Sequence, residues 1–345
     1  MKIEAEKYTI LLRRPFRIAH GSSDTRDTIL VRVESGGLTG HGEGALPPYY
    51  PSVAEDCLRW IGELKLPEAP EGLGLAETVA SLPPAPEKAA AARVAVEIAL
   101  CDWWAQGREK PLWKAWGLDA SKVPPVARTI PICADEVELT AILKEDSRCE
   151  FLKLKLGSGD MAWDEEAIRI TRRQFPAAQL CVDVNEGWAV SEAVRLLRRI
   201  EDCALAFVEQ PVGREIEAWR ELRSALGEKY EVPLVADESL QREEDLTALK
   251  GLADGVNVKL LKAGGLLPAR RWLLRAGELG FRTMVGVMVE TGIGRTAAAQ
   301  LAPLTDWLDI DPPEDIPVAP MCGFTMEEGR LGLPDLPGLG LKPVQ

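Results

Sequence analysis

The sequence predicts an α/β protein: a modified (β/α) TIM barrel with an α+β capping domain formed by the N-terminal segment and the C-terminal tail. Three observations predict it. From residue 126 onward, eight short apolar runs alternate with longer amphipathic stretches, and most runs end in a polar or charged residue. Landmark charged residues at 155, 183, 209, 237 and 259 recur at steps of 28, 26, 28 and 22, the length of one strand, one helix and two loops. The glycine-rich dinucleotide fingerprint that would favour a doubly wound sheet is missing after the first strand.

The capping domain is expected over residues 1–124. Residues 2–12 mix β-branched and aromatic side chains, 28–33 (TILVRV) alternate before the turn-like ESGGLTG, and 40–44 offer a further strand. Between the first two, PFRIAHGSSDTRD is rich in Gly, Ser and Asp and reads as a mobile loop able to swing over a pocket. Helices are expected at 52–61 and 75–82, and most strongly at 87–104, which is alanine-rich with apolar residues three and four apart. Pro124 and Pro125 form the joint.

The barrel is expected over 125–317. Its runs are ARTIPIC, EFLKLKLG, QLCVDVNEG, LAFVEQP, VPLVADES, GVNVKLL, FRTMVGVM and WLDIDPP, nearly continuous apolar segments as buried parallel strands require. Stretches such as 164–173 and 191–200 carry helical periodicity, while the first barrel helix, within ADEVELTAILKED, is short. The Gly- and Pro-rich tail, 318–345, holds a strand-like stretch near 329–333 and is expected to pack back on the N-terminal domain.

A net charge of -13 over 345 residues argues against a nucleic-acid binder, which would carry a basic footprint. The cysteines at 57, 101, 133, 149, 181, 203 and 322 are scattered without a C-x-x-C pair and read as free thiols in a reducing compartment. No signal peptide and no run of about 18 apolar residues is present, so a cytoplasmic location away from membranes is expected. The acidic surface is compatible with either a monomer or a homo-oligomer.

Side chains at the C-terminal ends of barrel strands converge on one mouth. Three such ends supply Asp183, Glu209 and Asp237. Each taken alone could merely cap the following helix. Together they would repel one another without a cation, and an all-oxygen set suits Mg²⁺, a hard octahedral ion. Lys153 and Lys155 are two apart and share one side of a strand, and Lys259 follows alternating apolar residues. Edge-strand lysines facing solvent are the bland alternative.

In a ring of eight strands the KLK and VNVKL strands stand roughly opposite, so Lys155 and Lys259 would address opposite faces of a bound substrate. A neutral lysine, its pKa lowered by neighbouring cations, can remove a proton beside a carboxylate, and a protonated one can return it on the other face. Mg²⁺ would stabilise the resulting enediolate. Lys153 would acidify Lys155 and bind a carboxylate oxygen. Lys262 competes with Lys259 but lies just before Gly264 and Gly265, where a loop or helix start is more natural.

On these motifs the chain resembles the enolase superfamily in its muconate-lactonizing subgroup, and most closely the dipeptide epimerases (L-Ala-D/L-Glu epimerase-like). The resemblance covers nearly the whole chain: K-x-K at Lys153 and Lys155, D-x-N at Asp183 and Asn185, E-Q-P at Glu209, D-E-S at Asp237 with Glu238, and K-x-x-K-x-G-G from Lys259. It implies Mg²⁺ on Asp183, Glu209 and Asp237, supported by Asn185 and Glu238, with Lys155 and Lys259 as the acid/base pair. It also implies that D-x-D at Asp309 and Asp311 holds a dipeptide's α-ammonium, for which charge-assisted hydrogen bonds are suited. Met288 and Glu290 join the expected substrate-binding residues.

One departure concerns specificity. Epimerases selective for Ala-Glu commonly carry a capping-loop arginine, whereas the matching place here is Gly21, beside His20. Arg17 and Arg26 are candidate replacements, while Asp24 and Asp27 would favour a cationic side chain; the sequence leaves this open. Pro47, Tyr49 and Tyr50 are expected to form another wall. The same lysines and metal would serve an o-succinylbenzoate synthase, an N-acylamino-acid racemase or a muconate-cycloisomerase-like enzyme. A non-enzymatic binding barrel would need none of them.

Overall fold

Three antiparallel strands open the chain: β1 (Lys2–Ile18), β2 (Gly21–Ser35) and β3 (Leu38–Leu46). The computed structural model describes residues 1–19, 21–66, 74–145, 150–312 and 320–344. The stretch expected to be a mobile loop is instead largely strand, because β1 and β2 keep pairing out to Ile18 and Gly21, with a register shift between Leu11 and Phe16. Backbone groups satisfied across a two-stranded ribbon need no apolar pattern to hold them extended.

Helices α1 (Ala54–Glu63), α2 (Leu75–Ala80), α3 (Ala90–Gln106) and α4 (Leu112–Ala115) follow. A Cβ at Gly40, Gly42 or Gly44 would lie 2.1, 1.9 or 2.0 Å from the carbonyl oxygens of Ala99, Ala95 and Ala91. Two strand residues advance about 6.7 Å and four helix residues about 6 Å, so the G-H-G-E-G row of β3 keeps step with the alanines four residues apart in α3, Ala91, Ala95 and Ala99. Bare strand backbone meets helix backbone, and the helix lies directly on the strand.

The barrel strands are β4 (Arg128–Ile130), β5 (Phe151–Lys155), β6 (Gln179–Asp183), β7 (Val208–Glu209), β8 (Leu234–Ala236), β9 (Gly255–Val258), β10 (Arg282–Gly286) and β11 (Trp307–Asp309), all parallel to their neighbours and in sequential order. Ala127 N donates to Leu308 O at 2.8 Å and Val126 bridges Leu308, which closes the ring. Each of the eight apolar runs yields its strand. Between and after them lie α5 (Glu136–Glu145), α6 (Met161–Gln174), α7 (Val190–Arg199), α8 (Ile216–Leu226), α9 (Asp245–Leu249), α10 (Leu260–Ala263), α11 (Leu266–Leu279) and α12 (Gly292–Ala299).

Alternate strand residues face the barrel interior. At the lower end Ala127, Phe151, Cys181, Phe207, Val235, Met284 and Trp307 form an apolar plug. Two residues further along β5, β6, β7, β8 and β11 come Lys153, Asp183, Glu209, Asp237 and Asp309. The polar mouth thus rests on a dry floor.

The tail supplies β12 (Met321–Cys322), β13 (Thr325–Glu327), β14 (Arg330–Gly332) and β15 (Lys342–Pro343). It returns to the capping elements as expected: Leu112 N donates to Gly338 O at 2.8 Å and Leu339 N to Asp102 Oδ1 at 2.7 Å. The expected joint at 317/318 lies outside the described residues. No helix among the described residues is long and apolar enough to cross a membrane.

Candidate active site

At the barrel mouth a cavity is lined by Lys155, Asn185, Asp237, Glu238, Lys259, Met288, Asp309 and Asp311, with Ile18, Tyr49, Tyr50, Thr129, Val287 and Val289. Lys155 ends β5 and Lys259 follows β9, four places apart in an eight-stranded ring and so across the mouth from each other. Lys155 Nζ donates to Asp183 Oδ2 at 2.6 Å and Asn185 Oδ1 at 3.1 Å. Lys259 Nζ lies 2.8 Å from Asp237 Oδ2. Lys262 does not line the cavity: its ammonium donates to the carbonyls of Asp237 at 2.6 Å and Asn257 at 3.0 Å and meets Asp237 Oδ1 at 2.5 Å. The geometry therefore favours Lys259 over Lys262 as the second lysine.

Lys153 lies deeper than expected. It is fully buried, beneath the cavity lining, with Nζ 2.9 Å from Asp183 Oδ2, 2.6 Å from Glu209 Oε2 and 2.5 Å from Asp309 Oδ2. Burial opposes its charge, but Asp183, Asp309 and Glu209 outweigh that and hold its pKa well above the lysine norm. For Asp183 burial is likewise overcome, by Lys153 and Lys155, and the carboxyl stays below its usual range. Burial and the neighbouring Asp183 push Glu209 up to about 8.

The lowered lysine pKa expected of a base is not seen at Lys259. Burial pulls it down, yet Asp237 and Glu238 raise it well above 10.5. The carboxylates beside Lys259 outweigh its burial.

The three carboxylates do not ring one point. Among the described residues no group of three His, Cys, Asp or Glu side chains is gathered as a metal cage; lysine ammonium groups stand between them instead. The donor set nevertheless fits a hard cation. All three offer oxygen donors and are buried to 2% exposure or less. Glu209 Oε2 and Asp237 Oδ2 accept no well-formed hydrogen bond and face only the ammonium groups.

The remaining expected residues divide. Asp309 and Asp311 both line the cavity, one residue apart around buried Ile310, although Asp309 also serves Lys153. Met288 lines it too. Glu290 does not: it folds over the first turn of α12, where a Cβ on Gly294 would meet its Oε2 at 2.7 Å. Arg17 points elsewhere, its guanidinium bound to Glu138. Gly21 and Arg26 line a neighbouring depression that shares Ile18 and Tyr49 with the cavity. His20 lies outside the described residues. Glu238 Oε1 accepts from Asn185 Nδ2 at 3.0 Å, and both line the cavity.

Sequence reasoning missed Asn257, whose Nδ2 donates to Glu209 Oε1 at 2.7 Å. Its signal was a polar residue inside an apolar run, two before Lys259 and on the same face. Ile18, Thr129, Val287 and Val289 carried no such signal.

A capped barrel with opposed lysines over buried carboxylates defines the class of protein. The chain belongs to the enolase superfamily, in its mandelate racemase/muconate lactonizing branch: "Enolase C-terminal domain-like" matches residues 137–345, and "Mandelate racemase / muconate lactonizing enzyme, N-terminal domain" matches 3–117. It is 32% identical over 348 residues to the L-Ala-D/L-Glu epimerase of Bacteroides thetaiotaomicron, covering 100% of this chain and 88% of that one. Two solved structures share the fold at TM-score 0.86, each covering 99% of this chain and 98% of its own. They are the substrate-liganded L-Ala-D/L-Glu epimerase of Bacillus subtilis, at 28% identity, and the dipeptide epimerase of Methylococcus capsulatus with Mg and L-Arg-D-Lys, at 31%.

Proposed function

We propose that this protein is a Mg²⁺-dependent dipeptide epimerase acting at the α-carbon of the C-terminal residue. The observation that carries the reading is the placement of Lys155 and Lys259 on opposite strands of one cavity that also holds Asp309 and Asp311. Epimerisation needs one amine on each face of a planar carbon, and the two aspartates suit the ammonium that every dipeptide carries. The family membership and the epimerase relatives support the same reading.

In this mechanism Asp183, Glu209 and Asp237 would hold the metal, with Asn185 supporting Asp183, Asn257 supporting Glu209 and Glu238 holding Asn185. Bound Mg²⁺ supplies Lewis-acid stabilisation of charge developing on the substrate carboxylate. One of the cavity lysines, neutral, takes the α-proton; the other, protonated, delivers a proton from the reverse side. Lys153 serves from beneath, countering the charge of Asp183, Glu209 and Asp309. The catalytic unit is the barrel over 125–317, with 1–124 and 318–345 as its cap. Six described cysteines are free, which supports a reducing, cytoplasmic setting.

The test is to incubate a dipeptide library with the protein and Mg²⁺ in D₂O and read deuterium at the α-carbon by mass spectrometry. Incorporation into the C-terminal residue of a subset of dipeptides is expected. Incorporation into N-acylamino acids alone would replace this reading with racemisation of that class.

A further inference from the structure

The tip of the β1–β2 ribbon is held to the barrel at three points. Ile132 N, after β4, donates to Arg17 O at 3.2 Å. Arg17 Nη1 donates to both carboxylate oxygens of Glu138, at 2.8 and 2.9 Å. Ala19 seats on two glycines: a Cβ at Gly157 would lie 3.0 Å from Ala19 Cβ, and one at Gly187 3.3 Å. Those glycines belong to the loops after β5 and β6, the strands that carry Lys155 and Asp183. Ile18, between the two anchored residues, lines the lysine cavity and the adjoining depression.

Glu138 is prepared for this contact. It sits in the first turn of α5, where its Oε2 accepts from Ala134 N at 2.7 Å and its own N–H donates to Asp135 Oδ1 at 2.9 Å. The carboxylate is therefore fixed before Arg17 arrives. Arg17 and Glu138 are 41% and 35% exposed, so the pair adds little to global stability. Its leverage is local, on the residue next in the chain.

We propose that Glu138, which lies outside the lysine cavity, is a positioning residue that acts through Arg17 to hold Ile18 against the bound substrate. The kinetic part of this inference rests on the dipeptide reading; the structural part does not. Glu138→Gln keeps the shape and the bond to Ala134 while removing the charge, and Arg17→Met keeps the apolar stem.

Each variant should raise KM for a good dipeptide about fivefold at low salt, the scale of one favourable exposed ion pair, while kcat stays within about twofold. The double variant should be no worse than either single, because the two changes break one contact. Unchanged KM in both singles, or effects that multiply in the double, would overturn the proposal. Hydrogen exchange supplies a readout that needs no substrate. In Glu138→Gln the amides of residues 17–19 and 21–26 should exchange faster while those of the barrel strands keep their protection. Unchanged exchange there would overturn the clasp even if no dipeptide were turned over. A wild-type protein inert toward every dipeptide, with faster exchange in the variant, would sink the substrate reading and leave the clasp standing.

Discussion

Each side chain at the mouth is defined by the charge beside it. Under the proposed function Asp309 and Asp311, which line the cavity, would separate dipeptides from acylated amino acids, since only the former bring an α-ammonium. Asp311→Asn should lower kcat/KM for dipeptides by about 10- to 100-fold, the worth of a charge-assisted contact, and leave activity on an N-acylamino acid little altered. Equal losses on both classes would detach Asp311 from ammonium recognition. Asn257, fully buried, holds Glu209 by one oxygen. Asn257→Leu should weaken Mg²⁺ binding about 10- to 100-fold, as loss of a partner behind a metal ligand does, measured by calorimetric titration. Unaltered affinity would show that Glu209 needs no such support.

Among the elements, the junctions between cap and barrel carry the clearest demands. Glu97 of α3 accepts from Leu266 N at 2.6 Å and Leu267 N at 2.8 Å, capping α11 from outside the barrel. Gly265 precedes them with φ +132, and a Cβ there would lie 2.3 Å from Glu97 Oε2. Gly265 is thus required by the approach of a carboxylate as well as by backbone angle, and Gly264, with φ +92, by backbone angle alone. Gly265→Ala should destabilise the fold by roughly 2 kcal/mol or more, visible as a lowered denaturant midpoint; a midpoint equal to the wild type would refute the crowding. Glu43 of β3 plays the same part at α12, accepting from Thr291 N at 2.8 Å, Thr291 Oγ1 at 2.6 Å and Gly294 N at 2.8 Å. An anionic group at a helix N-terminus is well placed.

The barrel elements were legible because burial on both faces forces apolar runs, and because lysines and carboxylates recurring at the ends of successive runs are not accounted for by helix capping alone. The ribbon formed by 15–18 and 21–27 was not: a largely exposed pair of strands satisfies itself by hydrogen bonds and leaves polar, glycine-containing sequence that reads as loop. The depth of Lys153 was equally hidden. Alternation places it on the same side as Lys155, but only the ring geometry brings Asp309 from the last strand against it. The match of glycines 40, 42 and 44 to alanines 91, 95 and 99 was written in both segments and needed only the two rises to be compared.

For the whole molecule, buried acids set the response to pH. Burial, reinforced by Glu43, raises Glu290 to about 8, and burial raises Glu97 to about 7, both from 4.5. The folded state then binds protons more tightly than the unfolded chain. The contribution of these groups to stability is full below about pH 4.5 and is lost as pH climbs through 7 to 8. The melting temperature of the metal-free protein should therefore fall from pH 5 to pH 8, and Glu290→Gln should flatten that fall. A melting temperature that rises over this interval would contradict the assignment.

The central claim is that Lys155 and Lys259 serve opposite faces of one carbon, and single-lysine variants in D₂O with Mg²⁺ test it most directly. With a dipeptide offered separately as its L,L and L,D forms, Lys155→Ala and Lys259→Ala should each abolish epimerisation. Each should retain α-proton exchange with one epimer only, and the retained epimer should differ between the two variants. Exchange of the same epimer by both variants, or epimerisation surviving in either, would contradict the two-faced arrangement.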